Sequence, residues 1–188
     1  ASGEAVGLPR SESGNSETGH INLGAGKIVY QDLERINMSI ADGSFFKNPV
    51  LLAAIEHARK NHSNLHYLGL IGAAGVHSNL NHLFALIALA KKQKFSNLFF
   101  HLFTDGRDSP PTAAKTYIAQ LKEVIRREGV GQIASIMGRI FTESAPRVSA
   151  NFVSKPRPKT GRLLAPMGVS VLIATAFISI LSAVFFLL

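Results

Sequence analysis

Cysteine and tryptophan are absent from this chain of 188 residues. Without cysteine the chain can form neither a disulfide framework nor a thiolate metal site, and this fits a reducing compartment. The first residues also lack the charged start and the apolar run of a secretory signal. Because the chain starts at Ala1 rather than at a methionine, we expect it to be a piece of something longer at its N-terminus.

Acidic residues are scarce relative to basic ones, with 12 Asp and Glu against 20 Lys and Arg and a net charge of +8. Nucleic-acid binding favours basic residues that are interleaved with aromatic ones on one face. The chain shows no such pattern, so we expect no nucleic-acid partner. Residues 142–188 carry five basic side chains and one acidic one, which is half of the net charge.

The end of the chain consists of a basic segment followed by an uncharged, apolar one. Residues 142–162, which are rich in Ser, Pro, Lys and Arg, are predicted to form a basic linker. Residues 163–188 are uncharged, and at about 1.5 Å per residue a helix of this length exceeds a hydrocarbon core of about 30 Å. We therefore predict a transmembrane helix over 163–188. The basic flank predicts a membrane anchor with the soluble part on the cytoplasmic side.

Strand-like and helix-like patterns alternate from residue 48 onward. Asn48-Pro49 is typical of a helix start, with Asn as the cap and Pro at the first helical position. Short apolar runs predict buried parallel strands, and helically spaced apolar residues predict helices between them. The predicted strands are 65–71, 98–103 and 132–137, and the later helices are 79–92 and 110–128. We predict an α/β fold with βαβ units on a parallel sheet, followed by the C-terminal transmembrane helix.

Polar residues follow each predicted strand. Parallel sheets bind ligands in the loops at the carboxyl ends of their strands. In the loops 72–78 and 104–109, and from 138 onward, the candidate site residues are His77, Arg107, Asp108 and Arg139. Arginine offers a planar fork for phosphate or carboxylate, histidine can move a proton near neutral pH, and aspartate can act as an acid or base. This combination predicts a site for a small phosphorylated acid.

A serine among glycines precedes the α/β region. Ser16 lies in the run 14–26, close to Glu17 and His20. Glycine lets a backbone approach a ligand closely, so a loop of this composition can present the serine hydroxyl to an anion. Since Gly, Asn and Ser are also ordinary turn residues, the run alone is unspecific.

Longer motifs carry a resemblance to a known family. They are Ala1-Ser2-Gly3-Glu4-Ala5-Val6-Gly7-Leu8-Pro9, the serine run through Gly26, Asp42-Gly43-Ser44-Phe45-Phe46, Gly75-Val76-His77-Ser78 and Asp105-Gly106-Arg107-Asp108. Over residues 1–141 the chain resembles the cofactor-independent (2,3-bisphosphoglycerate-independent) phosphoglycerate mutases of the alkaline phosphatase superfamily. The resemblance implies interconversion of 3-phosphoglycerate and 2-phosphoglycerate, a step of glycolysis, through a phosphoserine.

The resemblance also implies roles for the candidate residues. Ser16 would accept the phosphoryl group and would bind two divalent metal ions, usually manganese (Mn2+). The residues that match the family's substrate ligands are His77, Arg107, Asp108 and Arg139. Residues 1–30 would be a fragment of a phosphatase-like domain and residues 31–141 a partial transferase domain that binds substrate. The family is cytoplasmic.

The family's other metal-binding Asp and His residues have no counterpart in the chain. A hard dication needs several oxygen or nitrogen ligands. We therefore expect manganese not to be retained and the chain to be inactive alone, with another chain as a candidate source of the missing half. The chain also departs from the family at Thr18, where the family has Val, and at Ile140-Phe141, where the family has Tyr-Tyr.

Two other interpretations stay open. One is a non-enzymatic module, tethered to a membrane by 163–188, that binds a phosphorylated metabolite or a partner protein. The other is an interrupted gene product whose tail after Phe141 is not native. The remaining histidines are interpreted as loop, surface or core residues rather than ligands: His20, His57, His62, His66, His82 and His101.

Overall fold

The structure is a computed structural model that describes residues 1–10, 12–73, 75 and 78–138, together with the backbone of 171–174. The chain divides into two compact units, Ala1–Asn48 and Pro49–Leu188. Within the described ranges, the first unit contains only helices, and all the strands belong to the second.

The side chain of Asn22 links three segments of the first unit by hydrogen bonds. Its elements are a 3-10 helix over Gly3–Val6, α1 over Ser16–Ala25, α2 over Asp32–Ala41 and a 3-10 helix over Ser44–Lys47. Asn22 of α1 donates through Nδ2 to the carbonyl oxygen of Val6 at 2.9 Å. Its Oδ1 accepts the N–H of Val29 at 2.8 Å. The segments on both sides of α1 are therefore fastened to the helix.

At Gly7 the backbone passes too close to a neighbouring segment for any side chain. Gly7 has a φ of 83°, in the left-handed region. A Cβ at this position would lie 2.4 Å from the carbonyl oxygen of Val29. Both the conformation and the space therefore require glycine here.

The α/β alternation predicted from the sequence is present in the second unit. Its elements are α3 (Pro49–Lys60), β1 (Leu65–Ile71), α4 (Leu80–Lys92), β2 (Leu98–Thr104), α5 (Ala114–Glu128), β3 (Gln132–Gly138) and β4 (Val171–Ala174). The strands pair in parallel in the order β3-β2-β1-β4. α5 begins at Ala114 rather than at residue 110, because a turn in which the N–H of Ala113 bonds to the carbonyl of Pro110 precedes it.

The core lies on one face of β1 and β2. Leu65 pairs with Leu98 and Tyr67 pairs with Phe100, and none of these four side chains is more than 2% exposed. Helix residues complete the core, and the fully buried ones are Ala58, Ile87, Leu89, Ala90 and Leu121. Since buried and half-buried residues alternate along most of both strands, one face of this sheet is packed more tightly than the other.

The less buried face carries a hydrogen-bonded network of His66, His101 and Ser135, one from each of β1, β2 and β3. His66 Nδ1 lies 2.9 Å from His101 Nε2, and His101 Nδ1 lies 2.8 Å from Ser135 Oγ. The centroids of the two imidazole rings are 5.2 Å apart, with an interplanar angle of 26°. This centroid separation equals the N···N distance plus, for each ring, the distance from its centre to the facing nitrogen. The rings therefore meet edge to edge, and one proton lies between the two facing nitrogens.

The predicted transmembrane helix over 163–188 is wrong. Val171–Ala174 form β4, which pairs in parallel with β1, and a strand there cannot belong to a continuous helix. An apolar run also suits a buried parallel strand, which hydropathy and length alone did not distinguish from a membrane span. Among the described residues, no helix is both long and apolar enough to cross a membrane.

The membrane anchor inferred from this helix is wrong for the same reason, and the orientation predicted for that anchor from the basic flank falls with it. The predicted linker over 142–162 and the other residues of 163–188 lie outside the described residues.

Candidate functional site

Two polar loops meet at the carboxyl edge of the sheet. The last residues of β1 and β2 pair with each other, so Gly72 and Asp105 follow at neighbouring positions. Asp105 is 3% exposed. Its Oδ1 accepts the backbone N–H of Arg107 at 2.9 Å and that of Asp108 at 3.1 Å. One carboxylate oxygen thus closes the turn that carries two of the predicted site residues.

The Asp105 carboxyl remains ionised although it is buried. Burial alone would raise its pKa, but the N–H groups of Arg107 and Asp108, together with the N–H and hydroxyl of Ser109, have the larger combined effect. The pKa of Asp105 therefore lies below its ordinary value. The base of the turn holds a negative charge that backbone donors of the same turn compensate.

Ser109 and Gly72 pack against this carboxylate. Ser109 is 5% exposed, and a Cβ placed on Gly72 would lie 2.9 Å from Ser109 Oγ and 3.5 Å from Asp105 Oδ2. The Ser109 hydroxyl is near enough to favour the ionised carboxylate, but it forms no hydrogen bond of good geometry with any described residue. A side chain at Gly72 would therefore force the Ser109 hydroxyl to move.

The turn presents its two charged side chains differently. Arg107 is exposed, whereas Asp108 is half-buried. In the part of the chain that the structure describes, the guanidinium of Arg107 forms no ion pair. Its fork of N–H donors matches the oxygens of a carboxylate or phosphate group. The turn can therefore bind a small anion without first breaking a salt bridge of Arg107.

Ser16 begins helix α1, whereas the sequence predicted a flexible loop. The side chain of Asn15 caps the helix by accepting the N–H of Thr18 at 2.8 Å, and Gly26 ends it with a φ of 63°. The capping signal outweighs the glycines of the run because it satisfies a backbone donor that would otherwise lack a partner. Ser16 is exposed in the first helical turn, where backbone N–H groups favour a negative charge.

His20 contacts Ser16 but is not oriented to activate it. Its Nδ1 lies 2.6 Å from the carbonyl oxygen of Ser16 and 3.3 Å from the Ser16 Oγ. Because a carbonyl oxygen can only accept, Nδ1 carries the proton and donates it. The nitrogen that faces the hydroxyl therefore cannot also remove the hydroxyl proton.

The predicted site residues are only partly brought together. Arg107 and Asp108 share one turn, and Ser16 belongs to the other compact unit. His77 and Arg139 lie outside the described residues. Across residues 1–10, 12–73, 75 and 78–138, no three His, Asp or Glu side chains are grouped so that they could hold a metal ion.

Asp105 and Ser109 are the site residues that sequence reasoning missed. The dipeptide Asp105-Gly106 indicates a turn, but it does not say which groups the turn holds. An available signal was the tendency of an aspartate to accept the backbone N–H two residues further on. The burial of Ser109 depends on its contact with the preceding strand end, and no local pattern predicts such a contact.

Comparison with known proteins gives consistent matches. A family model described as the BPG-independent PGAM N-terminus matches residues 36–143. The 2,3-bisphosphoglycerate-independent phosphoglycerate mutase of Moorella thermoacetica is 50% identical over 147 residues, which are 78% of this chain and 29% of the relative. The protein of the same name from Clostridium kluyveri is 52% identical over 141 residues, which are 75% of this chain and 28% of the relative.

A solved structure also resembles the chain. The phosphoglycerate mutase of Leishmania mexicana, crystallised at low cobalt concentration, matches with a TM-score of 0.66 and 33% identity. The match covers 76% of this chain and 27% of that chain. The chain therefore spans less than a third of the length of the relatives that it matches.

Proposed function

This chain belongs to the 2,3-bisphosphoglycerate-independent phosphoglycerate mutase family, and we propose that it carries part of the substrate-binding site of such a mutase. The ligands are 3-phosphoglycerate and 2-phosphoglycerate. Since the chain spans less than a third of the relatives' length, the activity proposed for the chain alone is binding without turnover.

The turn at the end of β2 is the observation that supports this proposal. It holds the exposed guanidinium of Arg107 next to the half-buried carboxyl of Asp108. A phosphoglycerate offers a carboxylate and a phosphate to the guanidinium and a hydroxyl to the carboxylate. Arg107 would bind and orient the acid, and Asp108 would accept a proton from its free hydroxyl or hold that hydroxyl in place.

The other assignments extend this proposal to a complete mutase. Ser16 would accept the phosphoryl group, and His77 and Arg139 would join Arg107 and Asp108 around the substrate. Residues 1–30 are assigned to a phosphatase-like domain and residues 31–141 to a partial transferase domain. A second chain that supplies the remaining part of the mutase would be the partner required for turnover.

The described surroundings of Ser16 do not fit a two-manganese centre. Manganese ions, when bound, would stabilise a serine alkoxide and the charge of a transferring phosphoryl group. Ser16 offers one exposed hydroxyl, and the Nδ1 of its neighbour His20 donates to a carbonyl group. In the ranges that the structure describes, no cluster of three His, Asp or Glu side chains supplies further ligands. We therefore expect no mutase turnover from this chain alone when manganese is added.

Calorimetric titration of the 188-residue chain with 3-phosphoglycerate tests the proposal. We expect Arg107→Ala to weaken binding by at least about tenfold, because a charge-assisted hydrogen bond contributes roughly 1.5–3 kcal/mol and about 1.4 kcal/mol corresponds to tenfold. Arg126→Ala is the matched control, since it removes the same charge from an exposed position on α5. Equal effects of the two substitutions, or no binding by the unaltered chain, would contradict the proposed function.

A further inference from the structure

The Arg107-Asp108 turn owes its shape to a side chain that faces away from solvent. Asp105 is 3% exposed, and both backbone donors that follow it converge on its Oδ1. Two hydrogen bonds to one oxygen restrict the direction of the backbone at Arg107 and at Asp108 together. The carboxylate therefore helps to set the direction in which the two site side chains leave the backbone.

The second oxygen of Asp105 lies close to the end of the neighbouring strand. Gly72 follows β1, and a Cβ at that position would lie 3.5 Å from Asp105 Oδ2. On the same side, Ser109 Oγ would lie 2.9 Å from this Cβ. The carboxylate is thus packed between the turn that it closes and the end of the neighbouring strand.

A negative charge beside an anion-binding arginine would weaken binding if it faced the ligand. Here the carboxylate is buried and its charge is balanced by backbone donors of the turn. Arg107, in contrast, is exposed. Asp105 can therefore organise the turn while the guanidinium remains available to an anion.

We infer that Asp105 is a positioning residue for phosphoglycerate binding, holding Arg107 and Asp108 in their binding orientation without touching the ligand itself. This inference rests on the proposed function, because it assigns the turn's ligand as a phosphoglycerate. The positioning itself can be measured without any ligand.

Asp105→Asn in the 188-residue chain tests the inference with little change in shape. The amide is a weaker acceptor than a carboxylate, so we expect hydrogen exchange at the N–H groups of Arg107 and Asp108 to become about tenfold faster. We expect 3-phosphoglycerate to bind about tenfold more weakly. The matched control is Asp42→Asn, because Asp42 also accepts a backbone N–H, from Ser44 at 2.8 Å, but in the other unit.

A pH titration of the unaltered chain provides a readout that a general loss of structure would not reproduce. In an NMR spectrum, the amide signals of Arg107 and Asp108 should move together as Asp105 is protonated, below the ordinary value of 3.8. The movement of the Arg107 amide should be missing in Asp105→Asn and preserved in Asp42→Asn. This measurement remains informative even if a harsher variant such as Asp105→Ala does not fold.

The outcomes separate the inference from the proposed function. If the amides respond as expected but the unaltered chain binds no 3-phosphoglycerate, the turn is organised by Asp105 and the proposed function fails. If the chain binds 3-phosphoglycerate and Asp105→Asn binds equally well, the positioning role is overturned. Unchanged amide exchange in Asp105→Asn would overturn it as well, whatever the ligand does.

Discussion

The network of His66, His101 and Ser135 makes the stability of the sheet depend on pH. Burial, and to a smaller extent the nearby charge of His101, lower the pKa of His66. The unfolded chain therefore binds this proton more readily than the folded chain, and the free energy of unfolding rises with pH wherever the two states differ in bound protons. The contribution of His66 is complete above its ordinary value of 6.5 and is lost as the pH falls from there through the folded pKa.

The size of the effect follows from the hydrogen bonds. A typical hydrogen bond contributes roughly 0.5–1.5 kcal/mol, and these groups are only half-buried, so water can replace part of each bond. We expect His101→Phe, which removes both bonds of the network, to lower the free energy of unfolding at pH 8 by about 1–2 kcal/mol. His66→Phe removes one bond and should cost about half as much.

Urea unfolding followed by circular dichroism at pH 8 and pH 5 measures these differences. His62→Asn is the control, because His62 is exposed and asparagine tolerates its positive φ of 49°. His82 also has a pKa lowered by burial, so the unaltered chain and the control should both lose stability at pH 5. His66→Phe should lose less between the two pH values. An equal loss in His66→Phe and in the unaltered chain would refute the reasoning.

Two substitutions test the packing of the separate units by urea unfolding. Gly7→Ala should lower the free energy of unfolding by about 2–4 kcal/mol, because the alanine would be strained in the left-handed conformation and would also overlap the carbonyl of Val29. Gly26→Ala should lower it by only about 1 kcal/mol, because Gly26 has a similar φ of 63° but open space around it. Equal losses of stability in the two variants would contradict the steric overlap inferred at Gly7. Phe100→Ala should lower the free energy of unfolding by about 3–5 kcal/mol, because Phe100 is fully buried. Phe99 lies on the less buried face, so a larger loss in Phe99→Ala than in Phe100→Ala would contradict the assignment of the core.

The sequence predicts the second unit well because its signals are local. The apolar run over 65–71 matches β1, and Asn48-Pro49 marks the start of α3. Local signals were misjudged at Ser16, where the Asn15 cap outweighs two glycines inside the helix. The strand over 171–174 could not be predicted from its own residues, because its pairing with β1 joins segments far apart in the chain.

The candidate site was predictable in residue type but not in arrangement. Arg107 and Asp108 could be selected because charged residues at strand ends are typical of ligand sites. The sequence did not indicate that a buried carboxylate two residues earlier holds both of their backbone N–H groups. Contacts of this kind depend on how two strand ends align, and the alignment is set by the register of β1 and β2.

The described residues support substrate binding more strongly than catalysis. The proposed binding needs an accessible guanidinium, and Arg107 is exposed in a turn that is closed within the second unit. Phosphoryl transfer needs a base or a metal ion to activate Ser16. The nearby His20 donates the proton of its Nδ1 to a carbonyl, and the described ranges hold no metal-binding group. Rotation of the His20 ring would free its Nδ1 from the carbonyl of Ser16, but it would add no ligands for a metal ion. A chain that binds phosphoglycerate would therefore still require the remainder of a mutase to transfer the phosphoryl group.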